Sequence, residues 1–141
     1  MQSYFEKEID IKQFKKGKRI NKGGFGVVYE AKNIKTGQLY AAKIIDCDDD
    51  EEQCRKMINR EISIMLTTNH PTIVKLIGYS LTDFHDEHNI TIIMDLARNG
   101  SLESVIKSNQ EGVGPKEYDN TARQIILIGI SRSIKYLHDR N

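Results

Sequence analysis

Ile20-Asn21-Lys22-Gly23-Gly24-Phe25-Gly26-Val27-Val28-Tyr29-Glu30-Ala31, then a turn, then Leu39-Tyr40-Ala41-Ala42-Lys43-Ile44-Ile45, is the stretch whose reading decides the fold. Gly23, Gly24 and Gly26 carry no Cβ, so the backbone there can approach a ligand closely and offer it N–H groups. The residues from Val27 to Ala31 are rich in β-formers. Lys35-Thr36-Gly37-Gln38 reads as a hairpin turn, and Leu39 to Ile45 as the returning strand. A dinucleotide-binding or P-loop motif would instead open a helix directly after its glycines, and no Gly-Lys-Ser/Thr follows here. The glycines therefore cap a hairpin, and the loop is expected to lie over a phosphate as a flap. A nicotinamide-dependent oxidoreductase is set aside on the same ground, because a strand follows the loop.

Lys43 is the second marker. Alternate residues of a strand share a face, which puts Lys43 with Leu39, Ala41 and Ile45, all apolar. The strand alone leaves two possibilities open. Lys43 either snorkels from an edge or is buried against an opposite charge, since an unpaired buried charge is expensive. Asp50 to Leu66 has a helical period, with Ile58, Ile62, Met65 and Leu66 on one face. The helix-surface neighbours of Glu61 are Met57, Ile58, Ile64 and Met65, so its carboxylate also stands in an apolar patch. Arg60, beside Lys56 and Ser63, can look outward. Two charges in apolar settings on facing elements are economically explained as one ion pair, Lys43 with Glu61.

At this point the chain resembles the protein-kinase family. The glycine loop is similar to that family's phosphate-covering flap, Ala41-Ala42-Lys43 to its strand lysine motif, and Glu61 to its helix glutamate. His70-Pro71-Thr72-Ile73-Val74-Lys75-Leu76-Ile77-Gly78-Tyr79 resembles the segment after that helix, and Ile92 to Leu102 the hinge region. The resemblance covers nearly all of the chain after about residue 14 and looks most like the tyrosine-kinase-like branch of serine/threonine kinases. It departs from Gly-x-Gly-x-x-Gly at the first position, where Asn21 stands; asparagine tolerates positive φ better than most residues.

What the resemblance implies is an α+β fold. A five-stranded antiparallel sheet with one helix forms an amino-terminal lobe, followed by the first helices of an incomplete carboxy-terminal lobe. The implied division is a leader at 1–13, the amino-terminal lobe and hinge at 14–97, and the start of the helical lobe at 98–141. Lys43 would hold the α- and β-phosphates of ATP and Glu61 would orient it. Ile20, Val28 and Ala41 would roof the adenine, with Asn21, Gly23, Gly24, Phe25 and Gly26 forming the flap and Phe25 its tip. Met94 would limit pocket depth, and backbone groups of Asp95 and Ala97 would bond the adenine edge. Ser101 matches a position near the ribose, although a cap for the helix Leu102 to Ser108 is the better explanation of a serine there. The partners implied are ATP with Mg2+ and a protein substrate.

The family's His-Arg-Asp-x-x-x-x-Asn loop and Asp-Phe-Gly motif have no match in these 141 residues. His138-Asp139-Arg140-Asn141 has similar letters in another order and fits the end of a long helix capped by Asp119 or Asn120. The expectation is a kinase fragment that holds ATP but is inactive alone. The alternative is a pseudokinase-like nucleotide- or partner-binding module.

Composition narrows the rest. Charged residues make up 29% and net charge is +1, so no strong field points to nucleic acid. No apolar run is long enough for a membrane segment, and the first residues lack a signal-peptide core. Cys47 and Cys54 show neither metal spacing nor a disulfide framework; a reduced, cytoplasmic protein is expected. Six of the seven residues from Asp46 to Glu52 are acidic, which reads as a solvated face rather than a metal site. His85 and His88, in the polar loop Asp83 to Asn89, lack a third ligand for a metal. Ile9, Ile11 and Phe14 could pack outside the sheet, or the leader could be loosely ordered. Ile125 to Ile130 is apolar nearly all round apart from Gly129 and reads as a helix needing cover on several sides.

Overall fold

The computed structural model describes residues 7–24, 26–45 and 51–140. Phe25, Asn141 and the acidic run from 46 to 50 lie outside them. The chain divides into two compact units, residues 1–68 with 74–96, and residues 69–73 with 97–141.

The first unit is a five-stranded antiparallel sheet in the order β1-β2-β3-β5-β4, as expected. β1 is Phe14–Gly23, β2 Gly26–Asn33, β3 Leu39–Ile44, β4 Leu76–Ser80 and β5 Thr91–Met94, with α1, Glu51–Thr67, between β3 and β4. The β2–β3 turn forms where the sequence placed it. The Asn33 side-chain oxygen accepts from the N–H groups of Lys35 at 3.0 Å and Thr36 at 2.9 Å, and Gly37 takes a positive φ of 72°, which an L side chain resists.

Alternation gives the sheet two faces. Val28, Lys43 and Ile92 are cross-strand partners in one row and so share a face. Ile45, Ile58, Ile62, Leu76, Tyr79 and Ile92 form the core between that face and α1. On the opposite face Ala31, Ala42 and Ile93 pack with Ile11 and Phe14. The residues before β1 thus pack on the sheet: Ile11 is 3% exposed, beside Phe14 at the start of β1. Cys54 on α1 is disulfide-bonded, which corrects the expectation of a reduced thiol.

The loop from Asp83 to Asn89 is organised by its first residue. Asp83 is buried. Its carboxylate accepts from the N–H groups of His85 at 2.7 Å and Glu87 at 3.2 Å, and from the Asn89 amide at 3.0 Å. Burial alone would raise its pKa, but the Asn89, His85 and Glu87 hydrogen bonds to the ionised form outweigh it and hold the carboxyl below its ordinary 3.8. A carboxyl whose folded pKa is depressed stabilises the fold above its unfolded pKa, and that contribution disappears as pH falls through the folded value. The chain should therefore be more stable than Asp83→Asn at neutral pH, with the gap closing below about pH 4. Denaturant unfolding of both proteins from pH 7 to pH 2 checks this; a gap independent of pH would refute it.

In the second unit, α2 spans Leu102–Gln110 and α3 Asn120–His138. Ser101 caps α2, accepting from the Ser104 N–H at 3.1 Å, and Asp119 caps α3, accepting from the Ala122 N–H at 2.8 Å. Residues 69–73 dock on α3. The Tyr136 hydroxyl accepts from the Asn69 N–H at 2.9 Å, the His70 and Tyr136 rings lie 5.0 Å apart, and the Thr72 hydroxyl reaches the Gly129 carbonyl at 3.2 Å and the Ser133 hydroxyl. A Cβ at Gly129 would meet Thr72 Cγ2 at 3.4 Å, an ordinary contact, so Thr72 packs directly over the glycine that interrupts the apolar run. Ile125, Leu127, Ile128, Ile130 and Ile134 are exposed, Ile125 by 63%; the cover their pattern calls for is absent among the described residues. No helix among those residues is long and apolar enough to cross a membrane.

Candidate functional site

The site is built on the α1-facing side of the sheet. β3 is a central strand, paired on both edges, so its backbone is held from both sides. It places Lys43 between Val28 on β2 and Ile92 on β5. α1 packs on the same face through Ile58 and Ile62, and that packing aims Glu61 at the sheet. Lys43 Nζ donates to both carboxylate oxygens of Glu61, at 2.7 Å and 2.8 Å. The Lys43 side chain is 21% exposed and that of Glu61 38%. The pair is therefore partly buried, with an open side from which the ammonium can reach another anion. The apolar patch around Glu61 is only half closed: Ile58 is buried while Met57 and Ile64 are exposed.

The next row of the same face is Glu30, Ala41 and Met94. Ala41 is buried and Met94 half-buried, while Ile20 is 44% exposed. Val28, Ala41, Lys43 and Met94 thus share one face, while Ile20, the third residue of the expected roof, lies where the β1 register shifts. The Asp95 N–H donates to the Lys75 carbonyl at 3.0 Å, so a bond from Asp95 to a ligand falls to its carbonyl. Ala97 and Ser101 belong to the second unit. Ser101 uses its side-chain oxygen to cap α2, which gives the position a structural role irrespective of any ligand.

The flap is the tip of the β1–β2 hairpin, with Gly23 opposite Gly26 and Asn21 opposite Val28. Its glycines are not equivalent. A Cβ at Gly23 or Gly24 would meet nothing within 4 Å, whereas one at Gly26 would lie 2.1 Å from the Ile44 carbonyl oxygen, and Gly26 has a φ of 131°. Gly23 and Gly24 leave the space free that a phosphate would need, and Gly26 lets β2 start against β3. The Asn21 side chain accepts from the Lys22 N–H at 2.8 Å, a local bond that glycine cannot make. Phe25, the expected tip, lies outside the described residues. The described residues contain no group of three or more His, Cys, Asp or Glu able to hold a metal ion.

Asp83 and Gly78 escaped the sequence reasoning. Asp83 is one acid among several in a polar loop, and the close approach at Gly78 involves the residues before β1, seventy positions away. Gly78 has no local signal; for Asp83 the available one is the Asx turn, its carboxylate accepting from the N–H two residues on.

Comparison with known proteins agrees with this geometry. The family model described as "Protein kinase domain" matches residues 14–141. An Aurora kinase of Candida glabrata is 29% identical over 139 residues, covering 98% of this chain and 36% of that protein. An Aurora kinase of Saccharomyces cerevisiae is 27% identical over 136 residues, covering 96% of this chain and 34% of that protein. Serine/threonine-protein kinase 10-A of Xenopus laevis is 34% identical over 120 residues, covering 84% of this chain and 12% of that protein. The chain thus spans about a third or less of the length of these relatives. A lysine and a helix carboxylate joined beneath a glycine-rich hairpin, and a family match over nearly the whole sequence, lead to one assignment: the chain belongs to the protein kinase family.

Proposed function

We propose that this chain is the ATP-holding portion of a serine/threonine protein kinase, with the amino-terminal lobe and hinge at 14–97 preceded by a leader at 1–13 and followed by the start of the helical lobe at 98–141. The observation that carries it is the two-point contact of Lys43 with Glu61 on an apolar face beneath the glycine hairpin. Lys43 is held in place by Glu61 and neutralises the α- and β-phosphates of ATP. Ile20, Val28 and Ala41 cover the adenine, Met94 bounds the pocket, and the Asp95 carbonyl with the backbone of Ala97 meets the adenine edge. Asn21, Gly23, Gly24, Phe25 and Gly26 close over the phosphates, and Ser101 lies toward the ribose. The serine/threonine class is supported by the relative named as such, and the cytoplasm is the setting proposed for it.

Transfer to a protein hydroxyl also needs a catalytic base and Mg2+ ligands. Neither motif occurs in this sequence, and no step is assigned to them here. The purified 141-residue polypeptide is expected to bind ATP saturably, displacing a fluorescent ATP analogue, and to transfer no phosphate to a general protein acceptor. Binding without transfer by a longer form that carries both motifs would move the assignment to a non-catalytic nucleotide-binding module. Folded protein that fails to bind ATP would overturn the nucleotide site.

A further inference from the structure

The residues before β1 lie where the family match has not yet begun, and their contacts are more specific than a leader needs. Glu8 forms a parallel bridge with Tyr79, and the Ile9 N–H donates to the Tyr79 carbonyl at 2.8 Å. β4 is an edge strand of the sheet, so this segment covers backbone groups that would otherwise be open to pairing. Asp10 then caps a single 3-10 turn, Ile11–Gln13, which drops Ile11 onto the face opposite Lys43. There Ile11 and Phe14 are packed with Ala31, Ala42 and Ile93, flanked by Ile9, Tyr40, Ile77 and Phe84. The far end is tied down as well. The Gln13 carbonyl accepts from the Ile34 N–H at 2.9 Å, and Lys12 pairs with Asp86 at 3.2 Å.

Gly78 makes this approach possible. A Cβ there would stand 2.7 Å from the Lys7 carbonyl oxygen and 2.6 Å from Ile9 Cγ2, closer than such contacts occur.

Ala42 links the segment to the site. It is fully buried beneath Ile11 and Phe14 on one face, and the next residue along β3 is Lys43, on the other. We propose that Lys7–Gln13 is a strap that clamps β3 from the back of the sheet, so that its seating sets how firmly Lys43 is presented to Glu61 and to a nucleotide. The strap can leave as a unit. It adds to an existing edge and is not itself a strand of the sheet, so lifting it breaks the contacts with Tyr79, the Gln13–Ile34 hydrogen bond and the Lys12–Asp86 pair and uncovers one apolar cluster, while the five-stranded ladder remains. The nucleotide consequence rests on the ATP-holding function proposed above; the coupling to β3 does not.

The test uses the full chain carrying Gly78→Val. Valine favours a strand, so loosening is not expected from the propensity of β4, and Ile11→Ala separates displacement of the strap from a local effect beside Gly78. Hydrogen exchange at the Ile9 amide reports the strap, exchange at the β3 amides reports the strand, and the 15N signal of the Lys43 ammonium reports the ion pair. With the strap lifted, Ile9 protection should be lost, the β3 amides should exchange about tenfold faster and the Lys43 signal should shift. Affinity for an ATP analogue should fall several-fold. The α3 amides beyond the Asp119 cap should be unchanged. Ile11→Ala, which leaves β4 intact, gives the same readouts should Gly78→Val not fold. Lost Ile9 protection with unaltered β3 exchange and an unaltered Lys43 signal would overturn the proposal, as would full Ile9 protection in both variants. A wild-type chain that binds no ATP but shows the exchange coupling would sink the nucleotide site and leave the strap standing.

Discussion

Lys43→Met should lower the affinity of the chain for ATP by about tenfold or more, because a charge-assisted contact to phosphate is removed from a partly desolvated site. Stability should change little. Methionine is unbranched and apolar, so it can lie along the path of the lysine stem among Ala41 and Val28. The Glu61 carboxylate left behind is 38% exposed and can be solvated, so the lost pair is worth on the order of 1 kcal/mol or less. In a longer form carrying the transfer machinery, phosphorylation of a protein acceptor should be abolished. Glu61→Gln separates the roles: the ammonium remains but loses its charged anchor, so binding should weaken less than in Lys43→Met. Titration of an ATP analogue against wild type and both variants, with thermal unfolding alongside, decides the matter. Undiminished binding in Lys43→Met would show that the lysine does not meet the nucleotide.

Gly26→Ala should be the most damaging single-atom addition in the flap. The new Cβ would lie 2.1 Å from the Ile44 carbonyl oxygen, on a backbone with φ of 131°. The Ile44 carbonyl is strand backbone, so it cannot swing aside as a side-chain end would. Strained φ alone costs about 1–3 kcal/mol, and the clash adds to it unless β2 and β3 part at that end. Gly23→Ala and Gly24→Ala meet nothing within 4 Å and should leave stability within about 0.5 kcal/mol. Denaturant midpoints of the three variants would show one large loss and two small changes. Equal effects would show that Gly26 does not sit against the Ile44 carbonyl. In ATP binding the order should partly invert, since the space beside Gly23 and Gly24 is where a phosphate would approach.

Much of this architecture is local chemistry and was legible before any fold was known. The Ser101 and Asp119 caps, the turn at Gly37 and the periods of α1 and α3 depend on residues within one or two turns of each other. The Lys43–Glu61 pair was legible for a related reason, since each charge interrupts an apolar face that its own element defines. The two strands after α1 were placed correctly but drawn too long, whereas β2 runs beyond Val27 to Ala31 at both ends and β1 was not read from the residues, because the stretch up to Lys18 lacks a clear period. Ile73 to Leu81 pairs only over Leu76–Ser80, and Ile90 to Leu96 over Thr91–Met94, because pairing ends where a neighbour ends, not where apolar residues do.

Four of the five strands, the helix beside them, the glycine loop and the two charges that meet on the shared face could be read from the residues alone, because period, capping and turn preference act over a few positions. What had to wait for the fold is that Gly26 is held for the Ile44 carbonyl and that Gly78 makes room for Lys7 and Ile9. Each of these is a close approach between surfaces brought together by the whole fold. The distance between two backbones is set by everything packed around them, and no window along one chain contains it.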